Sequence, residues 1–124
     1  MKKLVFATVA MLACSGFSSA YAQTEIEEGK AVFQRCAICH KVDKGAGNGL
    51  GPNLFGVVGR KAAALPDFQY SGPLKSSGIT WNKETLAKWI AGPAKLVPGN
   101  KMAFPGISSK DQIQDVISYL GSLK

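Results

Sequence analysis

The chain has 124 residues, and 15 lysines and arginines against 8 acids give it a formal charge of +7. That length allows one domain, with a core modest enough to benefit from a staple or cofactor. Most of the bases are lysines scattered along the chain, which suits steering toward acidic protein surfaces or an anionic membrane face. The scatter argues against nucleic-acid binding, which needs a dense basic patch.

Lys2 and Lys3 precede an apolar run from Leu4 to Ala13 that is too short to span a bilayer. Ala20-Tyr21-Ala22 is an A-x-A cleavage site, so residues 1–22 are expected to be a removed export signal. Residues 23–124 then form the single mature domain, and loss of Lys2 and Lys3 lowers the formal charge from +7 to +5. Met11-Leu12-Ala13-Cys14 is a poor match to a lipoprotein box, which leaves a lipid anchor at Cys14 as the lesser alternative.

The mature chain reads as all-α, with three helices and long loops. The first is expected from about Glu25 to Arg35, with Ile26, Gly29, Val32 and Phe33 at helical spacing and three glutamates near its start. Glycine within a helix costs about 1 kcal/mol relative to alanine, so Gly29 points to close backbone approach by the last helix through Tyr119. The second helix is expected from Lys83 to Ala91, capped by Asn82, faced by Leu86, Trp89 and Ile90, and stopped by Gly92-Pro93. The third follows Ser109, with Gln112 completing a capping box and Ile113, Val116, Ile117 and Leu120 forming its buried stripe. Loops at 45–59 and 93–106 are long for a compact domain unless a ligand organises them.

Cys36-Ala37-Ile38-Cys39-His40 carries the chemistry. Two thiols three residues apart, followed at once by an imidazole, form the attachment signature of a c-type haem. Each cysteine can add to a porphyrin vinyl group, and the turn between them sets His40 to bind the iron. A dithiol redox motif would sit in a βαβ pattern, which is missing here, and a zinc site normally takes four ligands. A structural disulfide would leave His40 unexplained. His40 is the chain's sole histidine, and Met102 is the sole methionine after Ala22, so they are the expected axial pair. Met102 lies in a loop, whereas a core methionine more often lies in an apolar helical stripe.

Beyond this motif, Gly-Lys-Ala-Val-Phe from Gly29, Gly-Pro-Asn-Leu-Phe-Gly-Val-Val-Gly-Arg from Gly51, Gly-Ile-Thr-Trp from Gly78 and Pro-Gly-Asn-Lys-Met-Ala-Phe from Pro98 follow in order. With them the chain resembles class I cytochrome c, near its mitochondrial and bacterial c2-type branch. The resemblance implies the cytochrome c fold, few helices and long loops wrapped around one haem c bound through Cys36 and Cys39. It implies that the Pro52 carbonyl accepts from His40, which fixes the imidazole. Tyr70 and Trp81 would donate to a buried haem propionate with Arg60 nearby, Phe104 would shield the haem edge, and Leu54, Leu86 and Ile90 would line the pocket. The chain departs from the family at Trp89, where a tyrosine is usual, at Asn100, where a threonine is common, and at Leu74, where an asparagine stands.

The expected function is one-electron transfer without enzymatic activity, because two filled axial sites leave no place for a substrate. The alternative is a haem enzyme or gas sensor in which a small ligand displaces Met102. Expected partners are acidic docking surfaces of redox proteins or membrane redox complexes, met through Lys41, Lys44, Lys95 and Lys101. Export to the periplasm, a monomeric state and at most weak association with anionic membranes complete the expectation.

Overall fold

The computed structural model describes residues 4–5 and 17–124, which form five helices and no β-strand beyond one isolated antiparallel bridge between Lys61 and Thr80. The basic start of the expected export signal, most of its apolar run and Cys14 lie outside the described residues. Among the described residues no helix is long and apolar enough to cross a bilayer.

Helix α1 spans Phe17–Phe33, beginning earlier and ending sooner than the sequence suggests. No glycine or proline interrupts Ser18 to Gln23, so the helix continues through the expected cleavage site, although residues 19–25 are exposed. At the other end, Cys36 N–H donates to the Phe33 carbonyl at 2.7 Å, and this i→i−3 closure turns the helix into the Cys36–His40 segment.

Helix α2 (Gly72–Ser76) is a short addition that the sequence pattern does not reveal. Its cap is Ser71, whose hydroxyl accepts from Leu74 N–H at 3.2 Å. Helix α3 (Lys83–Ala91) has the expected bounds, and Asn82 exchanges bonds of 2.9 Å each way with Thr85 in a capping box. Gly92-Pro93 stops α3 and at once starts α4 (Pro93–Leu96), because proline at the first helical position lacks only an N–H that has no intrahelical partner. The expected 93–106 loop therefore begins as a turn of helix. Helix α5 (Lys110–Ser122) starts where expected, with Ser109 Oγ accepting from Gln112 N–H at 3.3 Å.

The two terminal helices, α1 and α5, pack against each other, and α3 joins α5. A Cβ on Gly29 would collide with the Asp115 carbonyl and come within 2.8 Å of Tyr119 Cβ. The glycine is thus the contact point of the crossing, as its position inside a helix suggested. One turn on, the Phe33 and Tyr119 rings lie 5.3 Å apart. Phe33, Leu86, Ile90, Ile113, Val116, Ile117 and Leu120 form the core, joined from the loops by Val57, Trp81 and Ile107. Burial of each such side chain contributes roughly 1.5–3 kcal/mol.

Candidate haem site

The site begins at the C-terminal end of α1. Cys39 N–H and His40 N–H both donate to the Cys36 carbonyl, at 3.0 and 2.9 Å, closing the turn that carries two thiols and an imidazole. Both thiols are unpaired and half-buried. Burial pushes the Cys36 thiol up from its ordinary value, Arg35 opposes this, and Cys39 adds to it.

His40 Nδ1 lies 2.7 Å from the Pro52 carbonyl oxygen and donates to it in the matching tautomer. Burial of the ring lowers its pKa, the Pro52 bond partly counters this, and the Arg60 charge lowers it further. The imidazole is thereby held neutral, with Nε2 the nitrogen left to ligate. Gly51 completes the cradle, since a Cβ there would lie 2.8 Å from Nδ1 and 3.0 Å from Nε2. The 45–59 loop is drawn onto the motif by Gly51 N–H to Cys39 O at 2.9 Å and Leu54 N–H to Lys41 O at 2.9 Å.

Asn53 organises that loop, a role the sequence reading did not single out. Its amide nitrogen donates to the carbonyls of Asp43 and Gly47, each at 2.9 Å, while its oxygen accepts from Phe55 N–H at 2.8 Å. Arg60 adds bonds to the Asn53 carbonyl at 2.9 Å and the Phe55 carbonyl at 3.4 Å. The only sequence sign of this hub is an asparagine after Gly-Pro, a pairing frequent in turns.

The remaining residues come from three other stretches. Trp81 is buried and its backbone N–H donates to the Arg60 carbonyl at 2.8 Å, so these two expected propionate partners are backbone neighbours. Tyr70 is also buried, and its hydroxyl accepts from Leu65 N–H at 3.3 Å, which leaves the phenolic proton to donate elsewhere. Leu54 and Phe104 are half-buried against the core, and Leu86 and Ile90 lie within it. Met102 is half-buried, and Asn100 sets its backbone by accepting from Met102 N–H at 2.8 Å while donating to the Val97 carbonyl at 2.9 Å. Asn100, a departure from the family pattern, thus shapes the loop that carries Met102. Trp89, another departure, packs on Trp81 with ring centroids 5.3 Å apart, and Leu74 packs against the core.

This donor set fits a c-type haem: two accessible thiols, one neutral imidazole with a committed Nδ1, and a glycine cradle that admits nothing larger beside the ring. The family model of cytochrome c matches residues 26–124. The chain belongs to the cytochrome c family. Cytochrome c2 iso-2 of Magnetospirillum molischianum is 47% identical over 94 residues, which cover 76% of this chain and 96% of that one. Cytochrome c2 of Rhodoblastus acidophilus is 44% identical over 98 residues, covering 79% and 92%. Among solved structures, cytochrome cH from Methylobacterium extorquens superposes with a TM-score of 0.74 at 43% identity, covering 78% of this chain and 97% of that one. The chain is a class I cytochrome c of the c2 type, with the all-α fold of that family, covalent haem c and a role in electron transport.

Proposed function

We propose that this cytochrome carries single electrons between redox partners through one haem, attached at Cys36 and Cys39 and ligated by His40 and Met102. The observation that carries the reading is the 2.7 Å bond from His40 to the Pro52 carbonyl, which orients the ring and reserves Nε2 for the metal. The haem iron supplies the one-electron couple, and histidine–thioether ligation favours the ferrous form. Asn100 supports the other ligand by fixing the backbone at Met102. With Met102 in place no position remains for a substrate, which favours a carrier over an enzyme or gas sensor.

Arg60, Tyr70 and Trp81 would hold a propionate, because a carboxylate brought indoors needs donors around it. Leu54 and Phe104 would flank the haem and keep water from its edge. Lys44, Lys95 and Lys101 are exposed and suited to steering toward acidic partners, while Lys41 reaches the Ala46 carbonyl at 3.3 Å. We further propose cleavage after Ala22, release of residues 23–124 as a periplasmic monomer, and brief contacts with its partners.

Replacing Met102 with alanine tests the ligation. The charge-transfer band of methionine-bound ferric haem should vanish and the reduction potential should fall, and an unchanged band and potential would remove Met102 from the site. The intact mass of the exported protein should equal residues 23–124 plus one haem.

A further inference from the structure

Asn48-Gly49 is the one asparagine–glycine pair in the chain, and the other asparagines precede Leu54, Lys83 and Lys101. Such a pair carries its own reaction. The Gly49 backbone nitrogen, once deprotonated, can attack the side-chain amide carbon of Asn48, because glycine has no side chain to shield it. A C–N bond forms, ammonia leaves, and a five-membered cyclic imide results. Water then opens either carbonyl of the imide and leaves aspartate or isoaspartate at position 48. In sum, an amide and a water become a carboxylic acid and an ammonia.

The fold restrains each group that this reaction needs. Gly49 N–H donates to the Gly51 carbonyl at 3.0 Å, so the proton that must leave is engaged. Asn48 Oδ1 accepts from Asn53 N–H at 2.8 Å, and Asn48 Nδ2 donates to the Asp67 carbonyl at 3.4 Å. These bonds keep the amide carbon from turning back onto the Gly49 nitrogen. Glycine is nonetheless required there, since a Cβ at position 49 would lie 2.7 Å from the Cys39 carbonyl oxygen. Packing against the Cys36–His40 turn therefore keeps a reactive pair in place, and hydrogen bonding restrains it. Water is not limiting, because Gly49 is exposed and Asn48 half-buried.

We infer that Asn48 is a deamidation site that the closed 45–59 loop guards and an opened loop releases. The rate follows the fraction of time the loop is open, and the product makes a transient opening lasting. Aspartate can still accept from Asn53 N–H, but it has no proton for the Asp67 carbonyl. Isoaspartate lengthens the backbone by one carbon just before Gly49, in the stretch that meets Cys39 and cradles His40. The chemistry needs neither the iron nor a redox partner.

Intact holoprotein is incubated at mildly alkaline pH, in buffer or in unfolding guanidinium, and each asparagine is followed by tandem mass spectrometry. In guanidinium, Asn48 should convert ahead of Asn53, Asn82 and Asn100 and give both aspartate and isoaspartate. In buffer, its conversion should be about tenfold slower or more, because only the opened loop reacts. Asn53→Ala removes the bonds to the Asp43 and Gly47 carbonyls. It should raise the rate in buffer about tenfold and leave the rate in guanidinium unchanged. Should that variant not fold, the parent in guanidinium below its unfolding midpoint serves instead, and Asn48 conversion should rise there before global unfolding. Equal rates in buffer and unfolding guanidinium overturn the inference, as does another asparagine converting first. A rate in buffer that neither Asn53→Ala nor dilute guanidinium raises also overturns it.

Discussion

The α1–α5 crossing and the loop around His40 are held together by different means. At the crossing, apolar side chains interlock around Gly29, and the helices satisfy their own backbone groups. The 45–59 loop has little regular structure, so its backbone groups depend on Asn53, Arg60 and the motif itself. A packed crossing fails as a unit when its contact is disturbed, while a hydrogen-bonded loop can open locally. This places the rigid framework behind the attachment motif and the adaptable shell in front of it.

The largest expected effect lies at the crossing. Gly29→Ala forces the two backbones apart and should cost about 1–3 kcal/mol, seen as a lower guanidinium midpoint for the whole molecule. Asn53→Ala strikes the shell and should cost about 1–2 kcal/mol, because two carbonyls and an N–H lose their partner. Its mark should be faster amide hydrogen exchange confined to the 43–55 segment. If Asn53→Ala instead unfolds the protein globally, the two regions are one cooperative unit and the contrast fails.

A smaller change should stabilise the segment just after the 45–59 loop. Ala63 has φ of +60°, a left-handed conformation that costs a residue with a Cβ about 1–2 kcal/mol. Ala63→Gly relieves that strain but adds freedom to the unfolded chain, for a net gain of about 0.5 kcal/mol. Thermal unfolding should show a slightly higher midpoint, and a lower one would mean that the Ala63 methyl makes a contact worth more than the strain.

The sequence was most readable where one local rule decided the outcome. Helix α3 could be placed at both ends because Asn82 caps it and Gly92-Pro93 stops it, and Gly29 could be read because only close approach compensates for a glycine there. The Cys36–His40 motif was readable for the same reason, since its spacing is itself the chemistry. Short α2 and α4 escaped because four or five residues are too few for a hydrophobic period. The start of α1 was misplaced because nothing between Ser18 and Gln23 breaks a helix, and apolar spacing marks only the packed part. The Asn53 hub was hidden for a deeper reason: a side-chain amide can serve many turns, and its partners follow from the path of the whole loop.

Tyr119 joins the two regions, and its effect should be the smallest. Its ring packs on Phe33 in the crossing, while burial, and secondarily the charge of Asp43 in the loop segment, raise its pKa above the ordinary tyrosine value. In the folded chain the phenol therefore keeps its proton to higher pH than in the unfolded chain. The resulting stability is fully present below the ordinary tyrosine value and is lost as pH rises through the raised one. Tyr119→Phe keeps the ring contact and removes the titration. The difference in guanidinium midpoint between parent and variant should be constant at neutral pH and shift against the parent above the ordinary tyrosine value. Changes at the iron in alkali affect both proteins and cancel in that difference. If the difference stays flat with pH, the ionisation of Tyr119 does not couple crossing to loop, and their contact there is packing alone.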